Sequence, residues 1–373
     1  MKVLHIISGG ETGGSKAHVL SLLEGLSSYI SATAVCFLEG DFYRLGREMG
    51  LDVRLLRQEK RYNLAVLGKL RELVEKEGFD LLHCHGPRSN FLGALLMRSL
   101  KIPALTTVHS DYKLDFKGSR YKSLVYSLLN VRALKRFPYY IAVSDSFKEM
   151  LVSRGFPAEN IYVVYNGIDF KAPLNETPRE EFLARLGLDI PQGADIVGFM
   201  SRLHPVKGHD VFLRGAGIVL EEMPDTYFLI AGEGEGERKI REMRSSMGLE
   251  DRVFLTGYIN SPEDFMNAVD INTLTSYSES FPLVLLEGAR WEKPTVSADV
   301  GGIRSLIREG ETGLLFPPGS SEHFASQLLL LLRSGELARF LGENLYRHAR
   351  DNFSLERLVE EHLGIYKNIL KQA

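Results

Sequence analysis

Residues 276–302 read SYSESFPLVLLEGARWEKPTVSADVGG, and the rest of the chain can be organised around this stretch. The segment LVLLEGAR contains no helix breaker and follows Pro282, which suits the first helical position, so we predict a helix that starts at Phe281 to Leu283. Free backbone N–H groups at such a start, with the helix dipole, form an anion site. Glu279 precedes this start and Glu287 lies about two turns along, so both carboxylates can flank one ligand. The arrangement suits a sugar joined to a nucleoside diphosphate.

The same stretch resembles a known motif. A Glu, seven residues and a second Glu, followed by KPTV and a Gly-Gly loop, resemble the donor-binding motif of retaining glycosyltransferases of family four, the glycosyl transferases group 1. The resemblance extends over nearly the whole chain. It implies the α/β GT-B fold, in which two doubly wound Rossmann-like domains face a central cleft and a C-terminal helix crosses back to the first domain. It also implies transfer of a sugar from a nucleoside-diphosphate sugar to an acceptor hydroxyl.

Length and composition fit this class. The chain has 373 residues, 44% of them hydrophobic and 25% charged, which is enough for two soluble domains. The start, MKVLHIISGG, is too short for a signal segment, and no apolar run approaches the ~20 residues that span a bilayer. We therefore expect a cytoplasmic protein. Cys36 and Cys84 form no CxxC pair and are expected to be buried thiols.

The formal net charge of −3 conceals an asymmetry between the two halves. Residues 1–170 carry a net charge of +6 and the remainder carries −9. Opposite signs favour two domains with different partners, the first being the one that meets an anionic surface or acceptor. No dense basic stripe with interleaved aromatics is present, so nucleic acid is not favoured.

Short apolar runs alternate with helical patterns along the chain, which indicates a βα series. The runs lie near residues 3–7, 33–38, 52–56, 80–84, 104–108, 139–143, 161–164, 196–200, 227–231, 252–255, 271–275 and 294–297. The pattern breaks into turn residues near APLNETP. We predict an acceptor-side domain at 1–168, a linker at 169–194, a donor-binding domain at 195–350 and a crossover helix at 351–373.

Two glycine turns follow predicted strands. SGGETGGS, residues 8–15, lacks the Lys that a Walker loop requires, and on its own it is most simply a tight strand-to-helix turn. The family resemblance assigns Gly13 and Gly14 to the donor and His18 to the acceptor side. AGEGEGE, residues 231–237, has a Glu where the Rossmann fingerprint has its third glycine. We interpret it as a turn that lines the nucleotide, with Gly232 and Gly234 as contacts.

The loop SRLHPVKG brings Arg202 and Lys207 together after a predicted strand. A solvated basic loop is the plain alternative. The match to the R-x4-K loop of the family favours a diphosphate clamp, because negative charge grows on the leaving group as the glycosidic bond breaks.

Histidines follow or occupy two strands of the first half. His109 ends LTTVH, and although a lone histidine is more often structural, its position resembles the family histidine that contacts the donor sugar. We expect His83 and His85, which alternate in LLHCHGP, to point to opposite faces, and no acidic partner is evident nearby, so we expect no metal there. The chain contains no DxD, which argues against the metal-dependent GT-A class.

Residues 111–136 contain seven Lys and Arg and two acids among apolar residues at helical spacing. Such a stretch is typical either of a helix on an anionic membrane or of an ordinary surface helix. It flanks His109. Lys113 and Arg120 are therefore acceptor-side candidates, and the protein is expected in the cytoplasm with possible contact to the inner face of the membrane.

The resemblance implies a role for each motif residue. Glu287 would hold ribose, Glu279 the donor-sugar hydroxyls, and the N–H groups of Phe281 and Leu283 the phosphates, with Arg202 and Lys207 on the leaving group. The predicted catalytic set is His109, Glu279, Arg202 and Lys207. The predicted donor-binding set is Gly13, Gly14, Gly232, Gly234, Tyr258, Ser280, Phe281, Leu283 and Glu287. No metal or other cofactor is expected.

Three positions depart from the family pattern. Pro282 replaces a Gly, Glu292 replaces the Gly that ends the motif helix, and Ser305 replaces a Glu after the Gly-Gly loop. Pro282 removes one N–H donor from the phosphate site. None of the three departures touches the Glu pair.

Three other classes remain open behind the transferase. A sugar-nucleotide epimerase would use the same cleft without an acceptor, and a dinucleotide oxidoreductase would need a complete glycine fingerprint. A non-catalytic sugar-nucleotide-binding protein would be expected to lose the Glu pair or the Arg and Lys. UDP is the expected donor base, and the acceptor is expected to be a glycan or lipid-linked glycan in cell-surface polysaccharide or glycolipid synthesis.

Overall fold

A computed structural model describes residues 1–11, 13–58, 63–111, 129–174 and 177–372. The chain divides into two compact units. Unit 1 comprises Met1–Gly167 and Leu355–Ala373, and unit 2 comprises Ile168–Ser354. Each unit is built on its own parallel sheet.

Unit 1 contains a seven-stranded sheet with the order β3-β2-β1-β4-β5-β6-β7. The strands are β1 Lys2–Ile7, β2 Ser31–Cys36, β3 Val53–Leu55, β4 Leu81–His85, β5 Ala104–Val108, β6 Tyr139–Ala142 and β7 Ile161–Val163. The helices before unit 2 are α1 Gly14–Ser27, α2 Asp41–Glu48, α3 Ala65–Glu77, α4 Pro87–Leu96 and α5 Asp145–Ser153. Residues 129–134 are also helical.

Unit 2 contains a six-stranded sheet with the order β10-β9-β8-β11-β12-β13. The strands are β8 Ile196–Met200, β9 Tyr227–Ala231, β10 Val253–Gly257, β11 Ile271–Leu274, β12 Thr295–Ala298 and β13 Leu314–Phe316. The helices are α6 Arg179–Arg185, α7 His209–Glu222, α8 Glu237–Ser246, α9 Pro262–Ala268, α10 Leu283–Arg290, α11 Ser321–Arg333 and α12 Gly335–Asn352.

The last helix, α13 Leu355–Gln372, completes unit 1. It packs on α1, and residues of both helices share a buried apolar cluster with β1 and β4. At Gly25 of α1 an added Cβ would lie 2.4 Å from the Val359 side chain, so the two helices approach too closely for a larger residue. The predicted return of the C-terminal helix to the first domain is thereby confirmed.

The structure confirms the α/β class and each of the twelve predicted strands, because strands buried on both faces read as continuous apolar runs. It adds β13, a three-residue strand that the sequence reading missed. The segment 169–194, predicted as a linker, contains helix α6 and lies within unit 2. The C-terminal helix begins at Leu355, and α12 runs to Asn352.

Candidate functional site

The loops that follow β8, β9, β11 and β12 meet at the carboxyl edge of the unit 2 sheet. The Leu203 N–H donates to the Glu233 carbonyl at 2.9 Å, and the Tyr277 N–H donates to the Val206 carbonyl at 2.8 Å. The Gly302 N–H donates to the Ser280 carbonyl at 3.0 Å. Ligands of doubly wound sheets bind at this edge. The predicted residues of unit 2 therefore lie where a ligand site is expected.

Glycine is required where these loops touch. An added Cβ at Gly232, which has a φ of +134°, would lie 1.9 Å from the Ser201 carbonyl oxygen. At Gly234 it would lie 2.5 Å from the Leu203 carbonyl oxygen. Both glycines thus let the AGEGEGE turn pack against the SRLHPVKG loop. Their contact with a nucleotide stays a prediction.

Lys207 and Glu279 form an ion pair at the centre of these loops. The Lys207 Nζ donates to the Glu279 Oε1 at 2.6 Å, and the Ser276 hydroxyl donates to the same oxygen at 2.5 Å. The Glu279 side chain is 7% exposed and that of Lys207 is 19% exposed. Two residues predicted to bind different parts of one ligand are therefore in direct contact, and Glu279 is held in place by two donors.

Helix α10 begins at Leu283, within the predicted range, but Pro282 lies in the capping position just before it and not at the first helical position. The preceding loop is tied to the Gly-Gly loop. An added Cβ at Gly301 would lie 1.8 Å from the Glu279 carbonyl oxygen, so this position accepts only glycine. The side chain of Phe281 is buried, which leaves its backbone as the part that can face a ligand.

Glu287 lies in α10 and is half-buried. Burial raises its carboxyl pKa to about 7, and the nearby Glu263 carboxylate adds to the rise. Glu263 itself is paired with Arg290 at 2.6 Å. Among the residues that the structure describes, Glu287 has no ion-pair partner, and a desolvated carboxylate without a counter-ion is unfavourable for folding and typical of a residue that binds a ligand.

Two predicted site residues, one catalytic and one donor-binding, are solvent-exposed. Arg202 is exposed and has no ion-pair partner within the ranges that the structure describes. Tyr258 is 56% exposed. Exposure leaves both side chains accessible to a ligand. The roles assigned to Arg202 and Tyr258 stay predictions.

The first glycine turn of unit 1 leads into α1. Gly13 has a φ of +65° and caps a helix that begins at Gly14 and has no side-chain cap. The Glu11 carboxylate accepts from the N–H groups of Ser8 at 3.0 Å and Gly9 at 2.7 Å. These two donors are therefore already used by the protein, and contact of Gly13 and Gly14 with the donor stays a prediction.

A cluster of six buried or half-buried histidines lies in unit 1, beside the carboxyl end of β5. Parallel pairing places His5 of β1 opposite His83 of β4, and Ile7 opposite His85. The members, here called the histidine cluster, are His5, His18, His83, His85, His109 and His362.

The expectation that His83 and His85 point to opposite faces is wrong. Residues two apart on a strand share a face, and the two rings lie 4.1 Å apart. His18, predicted on the acceptor side, is 1% exposed and packs edge-on against His109 with ring centroids 4.9 Å apart. It contacts the predicted sugar-binding histidine and does not reach the surface.

Hydrogen bonds link several of these rings. The His5 Nδ1 lies 3.1 Å from the His85 Nε2, and the His85 Nδ1 lies 3.2 Å from the His109 Nε2. His83 is held separately by the hydroxyls of Tyr366 and Thr107, each at 2.7 Å. Burial lowers the pKa of His5 to about 3 and that of His109 to about 4, with a smaller effect of His362. The rings are therefore neutral at pH 7.

Neutral buried imidazoles are also the form that binds transition metals. His5, His83 and His85 each offer a nitrogen, and these nitrogens lie within 4.8 Å of one another. Of the two grounds for expecting no metal at this pair, the opposite-face assignment is wrong, and the lack of an evident acidic partner is the ground that remains. The cluster could hold an ion, although Tyr366, Thr107 and His109 already use nitrogens of His83 and His85.

The remaining acceptor-side candidates, Lys113 and Arg120, lie outside the described residues. At the margin of that segment Asp111 forms a bidentate ion pair with Arg154, with both distances at 2.7 Å. None of the helices in the part of the chain that the structure describes combines the length and the apolar composition of a membrane span. Cys36 and Cys84 are buried free thiols, as predicted.

Sequence reasoning missed His5, Glu11 and the joint burial of the histidines. The signals were present: a single polar residue interrupts the apolar strand VLHII, and two histidines at i and i+2 interrupt LLHCH. Polar residues inside strands that are otherwise apolar predict partners across the sheet.

Two family models match the chain. The model described as Glycosyltransferase Family 4 matches residues 12–172, and the one described as Glycosyl transferases group 1 matches residues 183–348. Together they cover most of both units.

Curated relatives cover most of the chain as well. An N-acetyl-alpha-D-glucosaminyl L-malate synthase of Bacillus anthracis is 29% identical, over 83% of this chain and 80% of its own. A UDP-Gal:alpha-D-GlcNAc-diphosphoundecaprenol alpha-1,3-galactosyltransferase of Escherichia coli is 24% identical, over 80% and 77%. Among solved structures, the Anabaena protein HepE in complex with UDP-glucose has a TM-score of 0.86 at 22% identity, covering 99% of this chain and 100% of its own. This last likeness shows the fold.

Proposed function

Because the chain belongs to the family 4 glycosyltransferases, we propose that it moves a sugar from a UDP-sugar to an acceptor hydroxyl with retention at the anomeric carbon. The observation that carries the proposal is the Lys207–Glu279 pair, held by Ser276 at the carboxyl edge of the unit 2 sheet. The HepE complex with UDP-glucose and the galactosyltransferase relative, whose name includes a UDP donor, support UDP as the nucleotide of the donor.

The leaving diphosphate is the group that these residues stabilise. As the bond from the anomeric carbon to the phosphate oxygen breaks, negative charge grows on the diphosphate, and Lys207, exposed Arg202 and the N–H groups of Phe281 and Leu283 neutralise it. Lys207 then divides its three donors between the phosphate and Glu279. Glu279, already fixed by two donors, accepts from hydroxyls of the donor sugar, and Glu287 accepts from the ribose.

The acceptor oxygen forms the new bond to the anomeric carbon while its proton moves to the leaving phosphate oxygen. Neither motif carboxylate acts as a nucleophile in this scheme, since both are committed to binding. No metal ion and no other cofactor takes part, because Lys207, Arg202 and the helix start supply the positive charge. His109 contacts the donor sugar.

We place the acceptor among glycans and lipid-linked glycans. The diphosphoundecaprenol acceptor in the name of the E. coli relative supports a lipid-linked one, and the net positive charge of residues 1–170 suits an anionic diphosphate or membrane. The enzyme would then work in the cytoplasm, at the inner face of the membrane, with Lys113 and Arg120 as proposed acceptor-side residues.

Thermal unfolding against UDP, GDP, ADP, CMP and NAD, each with and without a divalent metal, tests the donor. A ligand at about a hundred times its dissociation constant adds ~2.7 kcal/mol to the free energy of unfolding. We expect a shift with UDP alone that does not need metal. A shift only with NAD, or with no nucleotide, would contradict the donor site.

Variants test the site residues themselves. Lys207→Ala and Glu287→Ala should abolish the UDP-dependent shift or turnover while each free variant still unfolds cooperatively. Lys239→Ala, an exposed lysine on α8, is the matched control and should behave as wild type. Wild-type binding and turnover in either site variant would refute its assignment. The anomeric proton coupling of the product, measured by NMR, reports retention, and release of an altered sugar nucleotide would instead indicate an epimerase.

A further inference from the structure

Three rings of the histidine cluster form one continuous hydrogen-bonded chain. It runs from the His5 Nδ1 to the His85 Nε2 and from the His85 Nδ1 to the His109 Nε2, at 3.1 and 3.2 Å. His85 is the middle member and uses both of its nitrogens. His109 directly follows β5 and is half-buried, so one end of the chain reaches the carboxyl edge of the sheet.

The tautomers of the three rings are therefore coupled. A neutral imidazole carries one N–H and one lone pair, and each N···N contact needs one hydrogen. If His85 carries its proton on Nε2, His5 must carry its own on Nε2 and the His109 Nδ1 is a bare acceptor. If His85 carries it on Nδ1, the His5 Nε2 is bare and the His109 Nδ1 is an N–H donor.

The surroundings of His5, at the buried end of the hydrogen-bonded rings, decide between these two states. The His5 Nε2 is buried and has no hydrogen-bond partner among the described residues. Buried backbone N–H groups without a partner are rarer than under-satisfied carbonyl acceptors, and we extend this preference to the imidazole N–H. The state that leaves a bare lone pair at His5 is therefore favoured, and in that state His109 presents an N–H at Nδ1.

We propose that His5 and His85 are positioning residues that hold His109 in its neutral Nδ1–H tautomer, so that it donates a hydrogen bond to an oxygen of the bound sugar nucleotide. The inference rests on the proposed function of His109 as a donor-sugar contact. Neighbouring rings fix the geometry: His83 lies 4.1 Å from His85, and His18 packs edge-on against His109.

The tautomers can be measured without turnover. Long-range 1H–15N spectra of chelator-treated protein labelled with 15N-histidine distinguish protonated from bare ring nitrogens. We expect the His109 Nδ1 to be protonated and its Nε2 to be bare. In His85→Phe, which keeps a ring but removes both hydrogen bonds, a tautomer mixture should replace this state. A protonated His109 Nε2 in the wild type, or spectra unchanged by His85→Phe, would overturn the proposal.

Kinetics provide the second readout. His85→Phe should lower kcat on the order of tenfold, because the His109 N–H that donates to the sugar is misplaced. UDP affinity should change little, because the substitution removes no contact with the nucleotide. His85→Asn, whose amide occupies the place of Nδ1, should recover most of the loss. Tyr366→Phe is the matched control, since it removes a hydrogen bond of His83 and leaves the chain of three intact.

The two readouts separate the possible failures. Equal kcat in His85→Phe and wild type would overturn the positioning role even if the spectra agree. Wild-type kcat in His109→Ala would overturn the sugar-binding role on which the proposal rests, whereas the UDP-dependent thermal shift would still test the transferase itself.

Discussion

At the scale of single residues, Glu287 destabilises the folded protein through its buried carboxylate, which is also the group proposed to bind the ribose. Its carboxyl pKa is raised to about 7, chiefly by burial. A group whose pKa is higher in the folded than in the unfolded state binds its proton more tightly when folded. For a carboxyl, this destabilises the fold as pH rises above about 4.5, and fully so above 7.

Glu287→Gln should therefore stabilise the free protein at pH 8 by about 1–2 kcal/mol, allowing for the partial exposure of the side chain. It should also weaken UDP binding. Wild-type affinity should fall severalfold from pH 8 to 6 as Glu287 takes up its proton, and the affinity of the Gln variant should lack this component. Chemical denaturation at pH 8 and titration calorimetry at both pH values provide the measurements. Lower stability of the Gln variant would mean that the carboxylate has a partner.

Glu292 is a second residue that destabilises the fold, in this case through its backbone conformation. Within the described ranges it is the one non-glycine residue with a positive φ, 53°. The left-handed conformation costs a side chain roughly 1–2 kcal/mol. The turn is closely packed, since an added Cβ at Gly342 would lie 2.0 Å from the Glu292 carbonyl oxygen.

Glu292→Gly should raise the free energy of unfolding by about 1 kcal/mol, and the unfolding midpoint by about 2–4 °C. Glu292→Ala removes the same charge without relieving the backbone, so it serves as the control and should not stabilise. Equal stabilisation by both substitutions would show that charge, and not the left-handed backbone, is responsible. Differential scanning calorimetry at one pH distinguishes these results.

At the scale of elements, the sequence predicted what depends on local pattern. The twelve apolar runs became strands, and the start of α10 follows from Pro282. The short edge strand β13 was missed because three residues carry little periodic signal. Glycine spacing correctly marked turns, but only the structure shows that Gly232 serves the packing of one loop on another.

Register between elements is what the sequence could not provide. His5 and His83 lie far apart in the chain and become neighbours only through the parallel pairing of β1 with β4. The Lys207–Glu279 pair likewise depends on loops after β8 and β11, adjacent strands of one sheet. Both residues were predicted, but their contact was not, because side-chain direction in a loop is not set by spacing.

At the scale of the whole molecule, the two units should respond differently to acid. Burial lowers the pKa of His5 to about 3 and those of His109 and His362 to about 4, and it lowers those of His18, His83 and His85 well below 6.5. All six belong to unit 1. In the described part of unit 2, His209 shows a comparable shift, to about 4.

Because these pKa values are lower in the folded state, the unfolded chain takes up more protons below pH 6.5. The stability that neutral rings provide is therefore complete above pH 6.5 and is lost as pH falls toward 4. At pH 5 each of the three rings with a pKa of 3 to 4 costs about 2 kcal/mol. This sum approaches the total stability of an ordinary domain. We expect unit 1 to unfold first in acid.

The single tryptophan, Trp291, lies in unit 2 and reports on that unit alone. At pH 7.5, thermal unfolding followed by Trp fluorescence should be close to that followed by far-ultraviolet circular dichroism, which reports on both units. At pH 5, about half of the dichroism should be lost at a lower temperature than the Trp291 signal. If both probes shift together, the buried rings of unit 1 are not the acid-sensitive element, since their protonation would leave the unit 2 sheet intact.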